Sequence, residues 1–462
     1  MKPTHDAIVI GAGQAGPPVA SYLSGKGKRV ALVERSEIGG TCLNTGCRPT
    51  KAMRASARVA YLCRRASSYG VNVGGDVQAD LPRVVRRKDE MIDRWRNGYT
   101  EALSAAPELE ILRGHAAFTG SADSLHTLEV AGRAIVAETV VLNVGARARI
   151  PQIPGLAEVP YLTNANIVHL EELPSKLLIV GGSYIGLEFG QMFRRFGSEV
   201  VVLESGPRIA SREDPEISAS IDEMLRGEGL DIRVDVQVSR VTGSPGAIEV
   251  VLDDGDVIHG SHLLLATGRV PNTDQLGLEH VGITTDERGF IRTDGVFRTG
   301  VDGIFAIGDV NGRGAFTHTS YQDYEILVDH LEGGNRSADD RIITYAMFTD
   351  PPLGRVGMTE AEARATGKPV LSATYPMNQL TKAVLDGETE GLIKILVDES
   401  TDRFLGASCF GLFGDEIVQV VSALMHANAP CHVLLEMLPV HPTIAEFYPT
   451  ILNRLAPLDE AT

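Results

Sequence analysis

Two cysteines near the N-terminus, Cys42 and Cys47, have a spacing that suits reversible redox chemistry. The gap between them is long for the usual zinc motif, and no second Cys or His pair nearby completes a metal site, so we predict none. Two thiols at this distance in a helix-like turn can close a strained disulfide, and such bonds are the catalytic or regulatory ones. Arg48 and Lys51 follow closely, and we expect their charge to favour a thiolate at Cys47. The alternative is that these two thiols have no redox role. That is how we interpret the other three cysteines.

A second candidate for chemistry lies near the C-terminus, where His441 and Glu446 belong to one short segment. A histidine can take a proton from a thiol, or return it, near neutral pH, and a carboxylate can fix its tautomer and raise its basicity. A histidine considered alone is usually structural, but the presence of a reactive cysteine pair favours an acid–base role. We expect Pro442 to begin the helix that follows.

Two copies of a strand–turn–helix–strand pattern provide the elements that must position this chemistry. The first copy has a glycine turn at 11–16 and ends at Glu34, and the second has its turn at 181–186 and ends at Glu204. In both copies the acidic residue follows the last glycine by the same interval. Such turns bind a pyrophosphate at a helix N-terminus, and the acid accepts hydrogen bonds from a ribose. The matching copies disfavour the alternative that the turns only join strands to helices, although Ser183 replaces the middle glycine of the second.

Two further segments, 263–269 and 303–309, are predicted as buried strands that end in polar turns. Asp309 closes the second of them, where it can meet a cofactor hydroxyl. From about residue 336 the pattern changes to that of a mixed α+β region without a phosphate-binding turn. We predict for this region a linker at 348–352, strands at 391–397 and 404–410, and helices at 415–427 and 443–455.

Composition excludes several classes of function. The chain has 462 residues, which suggests about three domains, and a formal net charge of −17. Such an acidic surface repels phosphate backbones and anionic lipids, so we expect neither nucleic acid nor membranes as partners. Five cysteines in so long a chain do not form a secreted disulfide scaffold. With no leader-like start and no apolar run of membrane-spanning length, we expect a cytoplasmic protein.

Together, these motifs resemble those of the FAD-dependent pyridine nucleotide–disulfide oxidoreductases, a family that includes dihydrolipoamide dehydrogenase, glutathione reductase and mercuric reductase. The resemblance covers essentially the whole chain in family order and is nearest to the mercuric-reductase-like and dihydrolipoamide-dehydrogenase-like branch. It implies an α/β fold with two Rossmann-like nucleotide-binding domains and a C-terminal α+β dimerisation domain. The implied bounds are 1–150 with 273–335 for the FAD domain, 151–272 for the NAD(P) domain and 336–462 for the dimerisation domain.

The resemblance also implies roles for individual residues. Cys47 is the thiol that touches the flavin, and Cys42 is the one that exchanges with substrate. His441, oriented by Glu446, reaches the disulfide of the other subunit, so the active unit is a homodimer. The remaining implied catalytic residues are an ion pair beside the flavin ring, Lys51 and Glu188, and a gate that swings aside for nicotinamide, Tyr184.

The cofactor-binding residues follow in the same way. For FAD the implied set is Gly11, Gly13, Gly16, Glu34, Gly40, Thr41, Lys51, Ala116, Gly145, Asp309 and Thr317. For NAD(P) it is Gly181, Gly182, Ile185, Gly186, Glu204, Val238 and Gly268. Glu204 favours NADH because a 2′-phosphate would be repelled, while Arg208 nearby keeps NADPH possible.

The implied activity is an electron relay from nicotinamide through FAD to the Cys42–Cys47 disulfide, and on to a small-molecule disulfide or a metal ion. Two alternatives stay open: a dihydrolipoamide dehydrogenase running in the oxidising direction, and a flavin-bound redox sensor with little turnover. Some positions depart from the family pattern. Arg48 replaces an apolar residue, and 143–145 is Asn-Val-Gly where Ala-Thr-Gly is usual. The segment 456–462 lacks a cysteine pair, so Hg(II) is not expected as the natural substrate.

Overall fold

The computed structural model describes residues 2–458. The helices and strands up to residue 148 are β1 (Ala7–Ile10), α1 (Gly16–Gly25), β2 (Val30–Glu34), α2 (Gly40–Asn44), α3 (Cys47–Arg65), α4 (Leu81–Ser104), β3 (Leu109–Arg113), β4 (Ala116–Ala122), β5 (Leu125–Val130), β6 (Arg133–Ala137), β7 (Thr139–Leu142) and β8 (Ala146–Ala148). The next group is α5 (Asn164–Ile167), β9 (Lys176–Val180), α6 (Tyr184–Phe196), β10 (Glu199–Leu203), α7 (Pro215–Gly227), β11 (Asp231–Arg233), β12 (Val238–Ser244), β13 (Ala247–Leu252), β14 (Val257–Gly260), β15 (His262–Leu265) and β16 (Arg269–Pro271). The last group is β17 (Ile304–Ala306), α8 (Thr317–Leu331), β18 (Thr344–Met347), β19 (Leu353–Gly357), α9 (Glu360–Ala365), β20 (Val370–Pro376), α10 (Thr381–Leu385), β21 (Leu392–Asp398), β22 (Arg403–Phe410), α11 (Gly414–His426), α12 (Val433–Glu436), α13 (Tyr448–Leu452) and β23 (Ala456–Pro457). Short 3-10 helices lie at Ala66–Tyr69, Leu156–Glu158, Leu278–His280, Gly308–Asn311, Ala338–Asp340, Met377–Gln379 and Ala445–Phe447.

The first parallel sheet reverses its strand order at β1. Its five strands run in the order β17-β7-β1-β2-β3, so β2 pairs with one edge of β1 and β7 with the other. Open α/β sheets bind ligands outside the carboxyl ends of the strands at such a point. Alternate residues of β1 enter different cores, with Ile8 and Ile10 on one face and Ala7 and Val9 on the other. A parallel sheet covered on both faces requires such continuously apolar strands.

The second parallel sheet repeats this arrangement around β9. Its order is β11-β10-β9-β15, and β9 lies between β10 and β15 as β1 lies between β2 and β7. Leu177 and Ile179 enter one core and Leu178 the other. Two three-stranded antiparallel sheets, β4-β5-β6 and β12-β13-β14, accompany the parallel ones. Each glycine turn therefore follows the strand at which its own sheet reverses.

The C-terminal region is built on a six-stranded antiparallel sheet in the order β18-β19-β22-β21-β20-β23. Helix α11 packs against β19 and β22 and buries Val418 and Val421 among Ile393, Ile395 and other apolar residues of this region. The fold predicted from the sequence, two Rossmann-like units followed by an α+β unit, is confirmed. No helix within residues 2–458 has the length and apolarity to cross a bilayer.

The linker predicted at 348–352 contains no helix or strand, as expected, but it is not an exposed tether. This segment is a short connection between the antiparallel neighbours β18 and β19, and Thr349 and Asp350 are buried. The Asp350 carboxylate forms ion pairs with Arg54 and Arg195. The Asp residue and the two prolines indicate a loop. The sequence does not show that this loop is buried against arginines from other parts of the chain.

The helix predicted at 443–455 is shorter in the structure and begins later. The chain forms a turn after a cis His441–Pro442 peptide, then the 3-10 helix Ala445–Phe447, and α13 begins only at Tyr448. Pro442 therefore does not begin the helix; Pro449 lies in its first turn instead. The expectation for the tail at 456–462 falls partly outside the described residues, because these end at residue 458.

Candidate active site

The cysteine pair lies where two helices meet. Cys42 is in the short helix α2, and Cys47 is the first residue of α3, whose N-terminal N–H groups and dipole favour a negative charge. Both are free thiols, Cys42 half-buried and Cys47 exposed. The Cys47 sulfur lies 3.2 Å from the Thr317 hydroxyl at the start of α8. The two thiols and a hydroxyl donor thus form one cluster.

The two thiols differ in acidity. A hydrogen bond donated by Cys42, a second from Thr317 and the charge of Lys51 lower the pKa of Cys47 from its ordinary 9.0 to about 6, although desolvation opposes this. The same bond to Cys47, followed by burial, raises the pKa of Cys42. The charge of Arg48 acts on Cys42, whose pKa it tends to lower, and its guanidinium lies 5.0 Å from the centre of the Trp95 ring. Lys51, and not Arg48, is therefore the cation that acts most on Cys47.

We predict that the Cys47 thiolate is lost as the pH falls through about 6. A thiol with a depressed pKa is ionised above that value and protonated below it. The thiolate ultraviolet absorbance of the reduced protein, taken as the difference between wild type and Cys47→Ser, should titrate with this midpoint. Lys51→Met should raise the midpoint because it removes the cation, while Lys51→Arg should not. A wild-type midpoint near 9 contradicts the prediction.

Lys51 is itself held in an ion pair one helical turn after Cys47. Its Nζ lies 2.8 Å from Glu188 Oε2, on α6, and 4.3 Å from the centre of the Phe348 ring. The other Glu188 oxygen accepts a hydrogen bond from the backbone N–H of Phe348 at 2.8 Å. Three distant parts of the chain therefore fix this cation beside the thiols.

The first glycine turn is closed against side chains. A Cβ at Gly11, whose φ is +101°, would lie 2.3 Å from the backbone oxygen of Asn143, and one at Gly16 would lie 2.1 Å from the oxygen of Gly11. A Cβ at Gly40, with φ +60°, would lie 2.7 Å from the Cα of Gly13. Glu34 accepts hydrogen bonds from the backbone N–H of Ala12, in the turn, and from that of Ser36, just after β2. The turn has the form that admits a pyrophosphate.

The second turn repeats these contacts. A Cβ at Gly181 would lie 2.4 Å from the Ala266 oxygen, and one at Gly186 would lie 2.1 Å from the oxygen of Gly181. Glu204 accepts hydrogen bonds from the N–H groups of Gly182 at 2.7 Å and Gly206 at 2.8 Å, as Glu34 does in the first copy. Ser183, in extended backbone just before α6, is exposed. The two glycine turns therefore have equivalent geometry.

The other predicted binding residues are spread over several elements. Asp309 follows β17; burial raises the pKa of its carboxyl, and Arg269 lies 3.7 Å away. Gly145 and Gly268 have positive φ and lie next to the paired strands β8 and β16. Of the rest, Thr41 is in α2, Ile185 in α6 and Thr317 in α8, whereas Ala116 and Val238 begin strands of the two three-stranded antiparallel sheets.

Asn143 is a contributor that sequence reasoning missed. Its side-chain amide donates to the backbone oxygen of Gly11 at 3.1 Å and would lie 3.2 Å from a Cβ at Gly13. The side chain therefore supports the first glycine turn directly. The available signal was the departure from Ala-Thr-Gly at 143–145.

Tyr184, at the start of α6, has partners that no sequence motif indicated. Its hydroxyl donates to the Glu213 carboxylate, and its ring centre lies 5.7 Å from that of Tyr345. Burial, followed by the charge of Glu213, raises the pKa of Tyr184, so this phenol remains a donor. Tyr345 in turn stacks on Phe316, which directly precedes Thr317. An aromatic row thus extends from α6 to the start of α8.

His441 projects from an exposed apolar segment. Its ring Nδ1 is hydrogen-bonded to Glu446 at 2.9 Å, and its side chain is 73% exposed. Glu446 also accepts from the backbone N–H of Thr443 at 3.3 Å. Immediately before it, Leu438 is 96% and Val440 74% exposed. The structure brings His441 and Glu446 together, and it places them on a face that an apolar surface can cover.

Two family models match the chain. Residues 5–323 match the pyridine nucleotide-disulphide oxidoreductase model, and residues 343–451 match the dimerisation domain of the same family, which indicates a homodimer.

Three curated relatives agree with this. The probable pyridine nucleotide-disulfide oxidoreductase RclA of Escherichia coli is 36% identical over 451 residues, covering 96% of this chain and 97% of the relative. Dihydrolipoyl dehydrogenase of Chlamydia trachomatis is 31% identical over 453 residues (97% and 96%), and mercuric reductase of Staphylococcus aureus is 30% identical over 446 residues (96% and 81%).

The fold comparison points the same way. A solved Cu(II) complex of RclA, described as an HOCl-induced flavoprotein disulfide reductase, superimposes with a TM-score of 0.88 and 35% identity, covering 97% of this chain and 99% of that one. The chain belongs to the pyridine nucleotide–disulfide oxidoreductases, the FAD-dependent flavoprotein disulfide reductases that use pyridine nucleotides.

Proposed function

We propose that the protein uses NADH to reduce a small-molecule disulfide or a thiol-binding metal ion through FAD and the Cys42–Cys47 pair. One observation carries this proposal: a thiol with a pKa of about 6 lies at a helix N-terminus, within reach of a proton-bearing second thiol and a fixed Lys51. A dithiol with one acidic and one protonated member suits disulfide exchange.

FAD fits the first glycine turn and its surroundings. The turn excludes any Cβ at Gly11 and Gly16, and Glu34 offers a carboxylate at the end of β2 for a ribose. Asp309 provides a second, half-buried carboxylate, for a polar chain of hydroxyls. When bound, FAD accepts a hydride from nicotinamide and passes two electrons to a disulfide. We assign 1–150 with 273–335 to this domain, 151–272 to the nicotinamide domain and 336–462 to dimerisation.

The cysteines divide the exchange between them. The sulfur of deprotonated Cys42 attacks a disulfide acceptor, forming a mixed disulfide and releasing one thiolate, which takes up a proton. The Cys47 thiolate then attacks the Cys42 sulfur, which releases the second half of the acceptor and closes the Cys42–Cys47 disulfide. The acceptor gains two electrons and the pair loses two. Because the pKa of Cys42 is raised, this order requires a base close to Cys42.

We propose that the base is the partner's His441. Three features support this: the match of 343–451 to a dimerisation domain, the exposure of the His441 ring, and the exposed apolar residues Leu438 and Val440 beside it. Large exposed apolar patches mark protein–protein interfaces. Glu446, hydrogen-bonded to Nδ1, would hold the ring with Nε2 directed outward.

NADH is the proposed reductant because Glu204 directly follows β10 and its carboxylate is fixed by two backbone N–H groups. A fixed carboxylate accepts from a 2′-hydroxyl and repels a 2′-phosphate. The competing cation, Arg208, donates to the carbonyl oxygens of Ser211 and Glu213, both at 3.1 Å, which holds it within its own loop. We place this activity in the cytoplasm, where free thiols are maintained.

The test is an anaerobic titration with NADH and with NADPH, followed by an acceptor screen. We expect reduction by NADH at a kcat/KM at least tenfold above that for NADPH, because of the charge of Glu204. The screen uses lipoamide, glutathione disulfide, Cu(II) and Hg(II). Cu(II) is included because the structure of RclA was solved as a Cu(II) complex.

The outcomes separate the candidates. Turnover with glutathione disulfide or a metal ion supports the proposal. Turnover confined to lipoamide identifies the second candidate, a dihydrolipoamide dehydrogenase, to which the relative from Chlamydia trachomatis points. Reduction of the flavin without turnover of any acceptor contradicts both and favours a redox sensor.

A further inference from the structure

Behind Tyr184 lies a buried carboxylate, Glu213, which is 2% exposed. The hydroxyls of Tyr184 and Tyr345 both donate to the same oxygen of Glu213, Oε1, the second at 2.8 Å. The other oxygen, Oε2, accepts from Arg355 at 3.1 Å. Two phenols therefore share one carboxylate oxygen, while a cation holds the other.

The carboxylate is fixed from the C-terminal sheet. Arg355 lies on β19, is 1% exposed, and also donates to the Ser408 hydroxyl on β22 at 2.8 Å. The neighbouring Asp214 is tied to the same region, because it accepts from the backbone N–H of Glu360 at 2.9 Å and lies 3.5 Å from the Lys394 ammonium. Glu213 therefore cannot follow Tyr184 if that ring moves.

Any movement of the Tyr184 ring must break its bond to Glu213. Hydrogen bonds to an ionised acceptor are roughly twice as strong as bonds between neutral groups, and a buried carboxylate that loses a donor is left less satisfied. The bond therefore adds to the free energy needed to move the Tyr184 ring. Tyr345 reduces that cost, because two hydroxyls that donate to one oxygen weaken each other's hydrogen bond.

We propose that Glu213 is a positioning residue that holds the Tyr184 ring in place against nicotinamide entry, with Tyr345 as a second donor to the same oxygen that weakens this hold. The inference rests on the proposed function and on the role that the family resemblance implies for Tyr184, a gate that swings aside for nicotinamide. It gives Glu213 and Tyr345, which lie outside the recognised motifs, a role in setting nucleotide affinity. It also means that the carboxylate that holds the Tyr184 ring is itself fixed from the six-stranded sheet of the C-terminal region.

The experiment measures the dissociation constant of NAD⁺ on the FAD-loaded protein by titration calorimetry, with KM and kcat for NADH as a second readout. Glu213→Gln keeps the shape but removes the charge, and we expect about fivefold tighter NAD⁺ binding and a lower KM with little change in kcat. Tyr345→Phe keeps the ring and the Glu213–Arg355 pair, and we expect the opposite sign: weaker NAD⁺ binding. In a Tyr184→Phe background neither substitution should change affinity.

Each result decides the matter. Tighter binding in Glu213→Gln that disappears in the Tyr184→Phe background supports the proposal. Unchanged or weaker binding, or an equal effect in that background, overturns it. If Glu213→Gln does not fold, Tyr345→Phe and its Tyr184→Phe double variant repeat the test with the buried ion pair intact. Failure of the acceptor screen would defeat the proposed function, whereas these NAD⁺ affinities report only on the hold on Tyr184.

Discussion

Cys47→Ser is expected to lower turnover by about 1,000-fold or more while the purified protein keeps its bound, yellow FAD. Groups that act as one unit lose nearly all of their effect when either is removed, and a serine hydroxyl cannot form the disulfide that stores the two electrons. The glycine turn, Glu34 and Asp309, which we propose to hold the cofactor, are untouched by this change. The measurements are the steady-state rate with the acceptor found in the screen and the visible spectrum of the protein.

A matched control lies on the same helix. Cys63 is near the other end of α3, half-buried, and we assign it no role, so Cys63→Ser should keep its rate within about twofold. Cys42→Ser should also stop turnover but retain the thiolate at Cys47, since a serine hydroxyl still donates to it. Its long-wavelength absorbance beside the flavin should persist without reductant, and Cys47→Ser should lack it. Undiminished reduction of the acceptor by Cys47→Ser would end the relay proposal.

Much of the fold was predictable because its signals are local. The glycine turns and the acids that end the second strands lie within single βαβ units, so spacing alone identifies them. The structure adds that Glu34 and Glu204 accept from backbone N–H groups at equivalent positions of their turns. The apolar runs of β1 and β9 likewise predict strands that are buried on both faces.

The parts that could not be predicted depend on pairs that are distant in sequence. Tyr345 and Glu213 are 132 positions apart, and neither belongs to a motif. The segment 348–352 has the composition of a loop and becomes a buried connection only because α3 and α6 supply arginines to Asp350. The periodicity of the sequence predicts neither contact, because each forms only when two domains pack together.

A mixed dimer made from Cys42→Ser and His441→Ala protomers is expected to recover about half of the wild-type activity per dimer, although each parent homodimer is nearly inactive. We expect His441→Ala alone to lose 100-fold or more, in the range of general acid–base catalysis. If each site combines the cysteines of one protomer with the histidine of its partner, one site of the mixed dimer carries both lesions and the other carries neither. Two affinity tags, co-expression and sequential purification isolate the mixed dimer for steady-state assay.

The same experiment tests the alternative, in which both groups come from one protomer. If His441 served the cysteines of its own protomer, each site of the mixed dimer would carry one lesion, and no activity would return. A suitable control is His432→Ala, since His432 is an exposed histidine nearby that pairs with Asp402 and has no assigned role; its homodimer should remain active. The exposed ring of His441 and the apolar residues before it are, on this view, the face of a site completed only by dimerisation. An inactive mixed dimer of normal size would refute the proposal that each site combines residues of both protomers.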